Sequence, residues 1–175
     1  MKRISGYILG KLIPLVMVSV ILMFSGCTTS KGEGFAIYLT REDIPVARMP
    51  VLSHVEIAKQ PVISIIDVIE YDEKTHEMLL TPSAYERISK LEVPVSGRSF
   101  VVCVNRSPIY WGAFWTLLSS IPFDGVVILK PVVYEEDGNS IWLNLGYPSQ
   151  QFFTGEDPRL NAEVMKSLEQ AGKLK

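Results

Sequence analysis

Few side chains in this chain are of the types that act as nucleophiles, general bases or metal ligands. There are two cysteines, Cys27 and Cys103, and two histidines, His54 and His76. Cys103 lies inside the apolar run FVVCV, which predicts a buried β-strand where the thiol behaves as a small, inert hydrophobe. Two histidines without a cysteine cluster do not make a zinc motif, so no metal and no cofactor are predicted.

Carboxylates and hydroxyls indicate chemistry less clearly. Asp67 lies within the apolar run 62–71, where a buried charge needs a partner. A structural ion pair is the simplest interpretation, and a catalytic carboxylate is the alternative. The serines lie outside known nucleophile motifs, and no glycine-rich phosphate loop is present. The acidic residues 135–139 lack the alternating spacing of an EF-hand and are interpreted as a solvated hairpin tip.

The segment that ends at Cys27 has the arrangement of an export signal. A basic N-terminus precedes the apolar residues 12–24, a run shorter than the roughly 20 residues of a membrane-spanning helix. The small residues Ser25 and Gly26 then precede Cys27, which resembles the lipobox of bacterial lipoproteins. The resemblance implies cleavage after residue 26, acylation of the Cys27 sulfur, and attachment to the cell membrane on its extracytoplasmic side. An uncleaved N-terminal anchor helix is the alternative.

The chain is accordingly divided into a signal peptide (1–26), a lipidated cysteine with a flexible tether (27–34) and one domain (35–175). Removing residues 1–26 leaves 149 residues, which suits a single compact domain. The removed part has three basic residues and no acidic one, so the net charge changes from −2 to −5. An acidic chain without a basic run argues against nucleic-acid binding. The lipid on Cys27 is the predicted membrane contact, and an envelope protein is a candidate partner.

The hydrophobic pattern predicts mainly strands with two helices. The strand-like runs are residues 35–39, 51–57, 62–71, 76–80, 98–105, 109–115, 126–129, 132–134 and 141–145. One helix opens at Pro82, with Ser83 and Glu86 at capping-box spacing, and a second starts at Asp157-Pro158. Asp137-Gly138 predicts a hairpin turn. We therefore expect an α+β fold, a largely antiparallel sheet with two helices packed on one face.

The densest aromatic region is the predicted strand at residues 110–115. In a strand, Trp111 and Trp115 share one face, whereas Tyr110 and Phe114 lie on the other. Packing in the core explains one apolar face, and an exposed aromatic face would mark a surface that binds a ligand or partner. Both interpretations stay open, and these four residues are the predicted binding residues.

Residues 79–128 also resemble the periplasmic domain of the SecD subunit of the bacterial protein-export machinery. In both, a strand ending in Leu-Thr (here Leu80-Thr81) leads to a helix, a glycine (Gly97), an apolar strand, a turn, and a further strand after a second glycine (Gly125). An Asn-Arg-Ser sequence replaces the aspartate-glycine turn of that family. The resemblance implies a shared fold over under a third of the chain, which does not imply a shared function.

Together these features predict a membrane-tethered, non-enzymatic envelope lipoprotein domain that binds a protein or small ligand near the membrane face. The competing hypothesis is an envelope hydrolase that uses Asp67 or His76, and a structural component of the cell envelope or spore is a third. A cleft that brings His76, Asp67 and a serine or Cys103 within hydrogen-bond reach would favour the enzyme.

Overall fold

The computed structural model describes residues 32–131 and 138–175. Cys27, the segment ahead of it and residues 132–137 lie outside these ranges, so the signal peptide, the lipidation site, the predicted strand 132–134 and most of the hairpin tip are not among the described residues.

The described strands are β1 Phe35–Leu39, β2 Ile63–Ser64, β3 Val68–Tyr71, β4 Glu77–Leu80, β5 Arg98–Val104, β6 Ser107–Trp115, β7 Phe123–Leu129 and β8 Ser140–Tyr147. The helices are α1 Pro82–Ser89 and α2 Ala162–Gln170. No helix in the described ranges has the length and apolar character needed to cross a membrane.

The strands form one mixed sheet in the order β2-β1-β5-β6-β7-β8-β4-β3, which gives the α+β class expected from the sequence. β6 and β7 are parallel, with Gly112 opposite Val126, and the other described neighbours in this order are antiparallel. A parallel pair normally needs a crossover of a dozen or more residues. Here residues 116–122 alone connect the two strands. No pattern in the sequence indicated this short crossover.

A turn of three residues joins the two edges of the sheet. β2 lies at one edge and β3 at the other, although only residues 65–67 separate them in sequence. Because the four steps from residue 64 to residue 68 span at most about 14 Å, the sheet must curl until its edges approach. The predicted single central strand over 62–71 is therefore wrong.

Asp67 explains why the apolar run breaks at this point. Its Oδ2 accepts hydrogen bonds from the backbone N of Ser64 at 2.8 Å and from Ser64 Oγ at 2.7 Å. These bonds stabilise a turn where the apolar pattern alone favours a continuous strand.

Three other local predictions are also corrected. Residues 51–57 do not form a strand, because Leu52–His54 is a short 3-10 helix. The cap of α1 is Thr81, whose Oγ1 accepts from Ala84 N, rather than Ser83. α2 begins at Ala162 with Asn161 as its cap, several residues after the predicted Asp157-Pro158 start.

The core lies on both faces of the curled sheet. The larger cluster includes the apolar residues of both helices, Ala84, Tyr85 and Ile88 from α1 and Val164 and Leu168 from α2. There are two smaller clusters, one around Tyr38 and Cys103 and one around Trp115 and Phe123, and residues of short 3-10 segments and loops pack against them.

The last residues of the predicted tether are bonded to the domain. Gly34 N donates to Asn105 Oδ1 at 2.9 Å, and Asn105 N donates back to Gly34 O at 2.9 Å. Glu33 accepts from the Tyr38 hydroxyl and lies 3.7 Å from Arg106 Nη1. The chain is thereby attached to the turn between β5 and β6 before β1 begins.

Candidate ligand-binding cleft

The four aromatic residues predicted as a binding surface lie mostly in the core. Tyr110, Phe114 and Trp115 are buried, and Trp111 is partly buried. Phe114 packs on Phe100 on one face, while Trp115 stacks on Phe123 on the other, so the prediction of two apolar faces is confirmed. Of the four side chains, Trp111 has the most area left for a ligand or partner.

Cys103 is buried, as predicted, and is free. Burial raises the pKa of its thiol to about 12, and the more distant Arg106 guanidinium offsets little of that rise. A thiol with this pKa holds almost no thiolate at neutral pH, and the thiolate is the nucleophilic form. His54 is exposed on the short 3-10 helix Leu52–His54.

Asp67 has the structural role that its position in the sequence suggested. Its carboxylate is 2.9 Å from Arg87 Nη2 on α1, in addition to the two bonds from Ser64. Burial alone would raise the pKa of Asp67, but the hydrogen bonds from Ser64 and the Arg87 charge hold it below the ordinary value. The carboxylate is thus ionised, and its Oδ2 holds the turn against the helix.

His76 lies elsewhere, in a cleft of about 410 Å³ beside β8. β4 pairs with β8 only at residues 140–142, and the edge of β8 from Asn144 onward is left facing this opening. We name it the His76 cleft. Its lining residues are Lys74, Thr75, His76, Val127, Leu129, Asn144, Leu145, Gly146, Tyr147, Pro148, Ser149, Gln150 and Arg159.

The backbone holds His76 firmly at the side of this cleft. His76 has a left-handed φ of 55°, which non-glycine residues seldom adopt and which histidine tolerates better than most. Its N donates to Asp72 O at 2.8 Å, and its O accepts from Leu143 N at 3.0 Å. These two bonds fix the end of the β3–β4 turn against β8 and place the imidazole at the cleft.

A buried tyrosine determines which ring nitrogen of His76 carries the proton. Tyr71 Oη is 2.8 Å from His76 Nδ1, and burial raises the pKa of Tyr71 well above its ordinary value. The protonated hydroxyl has no other hydrogen-bond partner in the part of the chain that the structure describes, so it donates to Nδ1. Burial, and then the Arg159 guanidinium, lower the pKa of His76. The imidazole is therefore neutral, with its proton on Nε2.

Arg159 supplies a second fixed group but not a free charge. Its Nε and Nη2 donate to the two carboxylate oxygens of Asp157 at 2.9 and 2.6 Å, and its Nη1 donates to Leu143 O at 2.7 Å. These bonds from Arg159 lower the pKa of Asp157. Sequence reasoning did not identify Arg159 or Asn144 as site residues. The only signal was an aspartate two residues before an arginine, a spacing too common to be diagnostic.

The cleft is thus lined by both hydrogen-bonding and apolar groups. Lys74 is an exposed cation at its rim, and Thr75, Asn144, Ser149 and Gln150 add polar side chains. Val127, Leu129 and Tyr147 form the apolar part. A small ligand that has an anionic or strongly polar end and an apolar body matches such a surface.

The groups needed for hydrolysis are not brought together in the described ranges. His76 is bonded to Tyr71, and Asp67 to Ser64 and Arg87, so the two candidates have separate partners. Ser149 lines the same cleft as His76 but makes no hydrogen bond to it. Within residues 32–131 and 138–175, no three His, Cys, Asp or Glu side chains are placed to hold a metal ion.

A second cavity, of about 620 Å³, lies where β5 begins. It is lined by Ile44, Val93 and Pro94 together with Arg98 and Lys130. Arg98 is occupied there, since its Nη2 is 2.6 Å from Asp43 and its Nη1 donates to Glu92 O. This cavity has fewer free polar groups than the His76 cleft.

Comparison of the chain with protein families, with curated proteins and with solved structures found no match.

Proposed function

We propose that this protein is a lipid-anchored lipoprotein of the cell envelope whose domain binds a small anionic or strongly polar ligand, without catalysis, in the His76 cleft. The anchoring half of the proposal rests on the sequence at Cys27. The binding half rests on one observation, a cleft whose lining combines a neutral imidazole and several side-chain donors with apolar groups.

Anionic character is favoured because a lysine at the cleft has no ion-pair partner among the described residues, while the aspartate bonded to Arg159 is neutralised. Asp157 is held by the Arg159 guanidinium, whereas Lys74 makes no side-chain ion pair among the described residues. A ligand carboxylate or phosphate would meet the Lys74 ammonium, the polar side chain of Asn144 and the His76 Nε2 proton. Charge-assisted hydrogen bonds of this kind are about twice as strong as neutral ones.

A binding role is favoured over the hydrolase because no nucleophile is paired with a base. His76 has a lowered pKa and is neutral, and its Nδ1 is occupied by a hydroxyl rather than by a carboxylate. A catalytic triad uses a carboxylate at that position to stabilise the imidazolium. A protein partner that contacts Trp111 is a second candidate, supported by the partial exposure of that side chain beside Phe123.

We infer that both helices cover one face of a sheet that is antiparallel apart from β6 and β7, since both helices contribute to the larger core cluster. The succession β4, α1, β5, β6, β7 is compatible with the SecD-like resemblance of residues 79–128. The His76 cleft opens at the edge of β8.

A titration with simple anions tests the binding proposal. Inorganic phosphate and acetate are added to the full-length protein, and the imidazole signals of His76 are followed by NMR. We expect saturable shifts with wild type and at least fivefold weaker binding for Lys74→Gln, because this variant removes the free cation. Lys166→Gln, an exposed lysine of α2 outside the cleft, is the matched control. Equal titrations for both variants, or no shift at His76 with wild type, would contradict an anion site here.

A further inference from the structure

The loop that crosses from β6 to β7 exposes several aliphatic side chains. Leu118 is 86% exposed and Leu117 65% exposed, with Ile121 at 45% and the neighbouring Val95 at 54%. We name these four residues the aliphatic knob. Residues 115–123 contain no charged side chain. Isolated exposed aliphatic residues are ordinary, but four on two connected segments form an apolar patch that needs a partner.

Hydrogen bonds to the rest of the domain hold the backbone of the knob in place. Ser119 is buried, and its Oγ donates to Val95 O at 2.6 Å, which ties the crossover to the segment before β5. Tyr147 Oη donates to Ser119 O at 2.9 Å, beneath the loop. The loop therefore presents its apolar side chains from a fixed backbone.

Several backbone polar groups in the knob are hydrogen-bonded within the protein. Ser119 N donates to Thr116 O at 3.0 Å, Leu118 N to Thr116 Oγ1 at 3.3 Å, and Ile121 N to Ser119 Oγ at 3.1 Å. An apolar phase without water penalises each unpaired N–H or C=O group, so a loop that enters lipid must satisfy these groups internally. A loop that docks on a wet protein surface has no such requirement.

We propose that the aliphatic knob inserts into the bilayer to which the protein is anchored, giving the domain a second membrane contact. This inference rests on the proposed anchoring through Cys27. Lipid is favoured as the occupant because the knob is aliphatic and its loop is uncharged, and because the internal hydrogen bonds of the loop lower the cost of leaving water.

The attachment of Gly34 to the β5–β6 turn then restricts the orientation of the domain relative to the membrane. Gly34 is bonded to Asn105 at the turn between β5 and β6, while the knob follows Trp115 at the other end of β6. Nine residues of strand are about 27 Å long, and the six steps from residue 27 to residue 33 reach at most about 20 Å. For the knob and the lipid to share one membrane plane, the β5–β6 hairpin must lie at less than about 45° to the bilayer.

Spin labelling of the anchored full-length chain tests the insertion. Leu118→Cys is labelled in vesicles of phosphatidylcholine and phosphatidylglycerol, and the accessibility of the label to oxygen and to a water-soluble nickel complex is measured. Cys103 is buried with a thiol pKa of about 12 and stays unlabelled. Ile69→Cys is the control. Residue 69 is an exposed aliphatic position on β3, and three strands lie between β3 and β6 in the sheet order.

For each label we take the ratio of its accessibility to oxygen to its accessibility to the nickel complex. We expect this ratio to be at least threefold higher at residue 118 than at residue 69. One label per chain shows that Cys27 is acylated, whereas two labels show a free Cys27 and contradict the anchoring itself. If one label per chain is found and residue 118 is as accessible to nickel as residue 69, the insertion is wrong and the anchoring stands. Dipolar broadening between labels would instead identify a second copy of the chain on the knob and would also overturn insertion.

Discussion

His76 shows how one buried hydrogen bond determines the chemistry of a side chain. The Tyr71 hydroxyl occupies Nδ1, and burial lowers the pKa of the imidazole, so the group acts as a neutral donor through Nε2. The sequence identified His76 as a candidate hydrolase residue but gave no partner for its imidazole. Its role depends on a tyrosine five residues earlier and on Arg159, which is far away in the chain.

The lowered pKa of His76 predicts a pH dependence of stability. The unfolded histidine binds a proton near pH 6.5, whereas the folded one does so only at lower pH. As the pH falls from about 7 through this window, the unfolded state binds more protons, so the free energy of unfolding decreases. We expect His76→Asn, which tolerates the left-handed backbone, to flatten the slope of that free energy between pH 7 and 5.

Denaturant unfolding at a series of pH values measures this slope. Ser149→Ala, which lines the same cleft but removes no titratable group, should keep the slope of wild type. An unchanged slope in His76→Asn would mean that this imidazole titrates alike in the folded and unfolded states.

Individual elements were predicted well where a continuous apolar run or one apolar helix face decides the pattern. β1 and β5 are found close to their predicted bounds because each is an apolar run buried on both faces, and α1 because its apolar residues repeat with the helical period. The run 62–71 failed, since side-chain bonds between Ser64 and Asp67 outweigh the apolar pattern. The His76 cleft was not predictable for a related reason: its residues come from separate segments that only the sheet order brings together.

The turn at residues 65–67 gives a prediction at the scale of elements. Asp67→Asn keeps the shape of the side chain but removes its charge opposite Arg87. We expect a loss of about 1 kcal/mol in the free energy of unfolding at neutral pH, a modest value because the Arg87 side chain is partly exposed. The folded pKa of Asp67 lies below the unfolded value of about 3.9, so this contribution is complete above that value and is lost as the pH falls below it.

Thermal or denaturant unfolding of both proteins at pH 7 and pH 3 measures this difference. Glu86→Gln is the control on the same helix, since its ion pair with Lys90 is fully exposed and should leave stability nearly unchanged. Equal stabilities of wild type and Asp67→Asn at pH 7 would show that the carboxylate charge does not hold the turn.

For the whole molecule, the decisive experiment concerns attachment. Cys27→Ser should abolish incorporation of labelled palmitate and move the protein out of the detergent phase, because acyl chains supply about 0.8 kcal/mol of membrane affinity per buried CH₂ group. Cys103→Ala is the matched control and should be labelled like wild type, since that thiol is buried in the domain. Equal palmitate incorporation in Cys27→Ser and wild type would contradict the lipoprotein proposal.

The attachment of Gly34 to Asn105 also has a mechanical meaning. β1 is an interior strand, paired with β2 on one side and with β5 along its whole length on the other. A pull on the chain ahead of Gly34 along the direction of β1 loads these cross-strand hydrogen bonds in shear, because antiparallel bonds lie perpendicular to the strands. Bonds loaded in shear share the force and break together, whereas bonds loaded by peeling break one at a time. A membrane tether that pulls along β1 would therefore stress the domain in its mechanically strong direction.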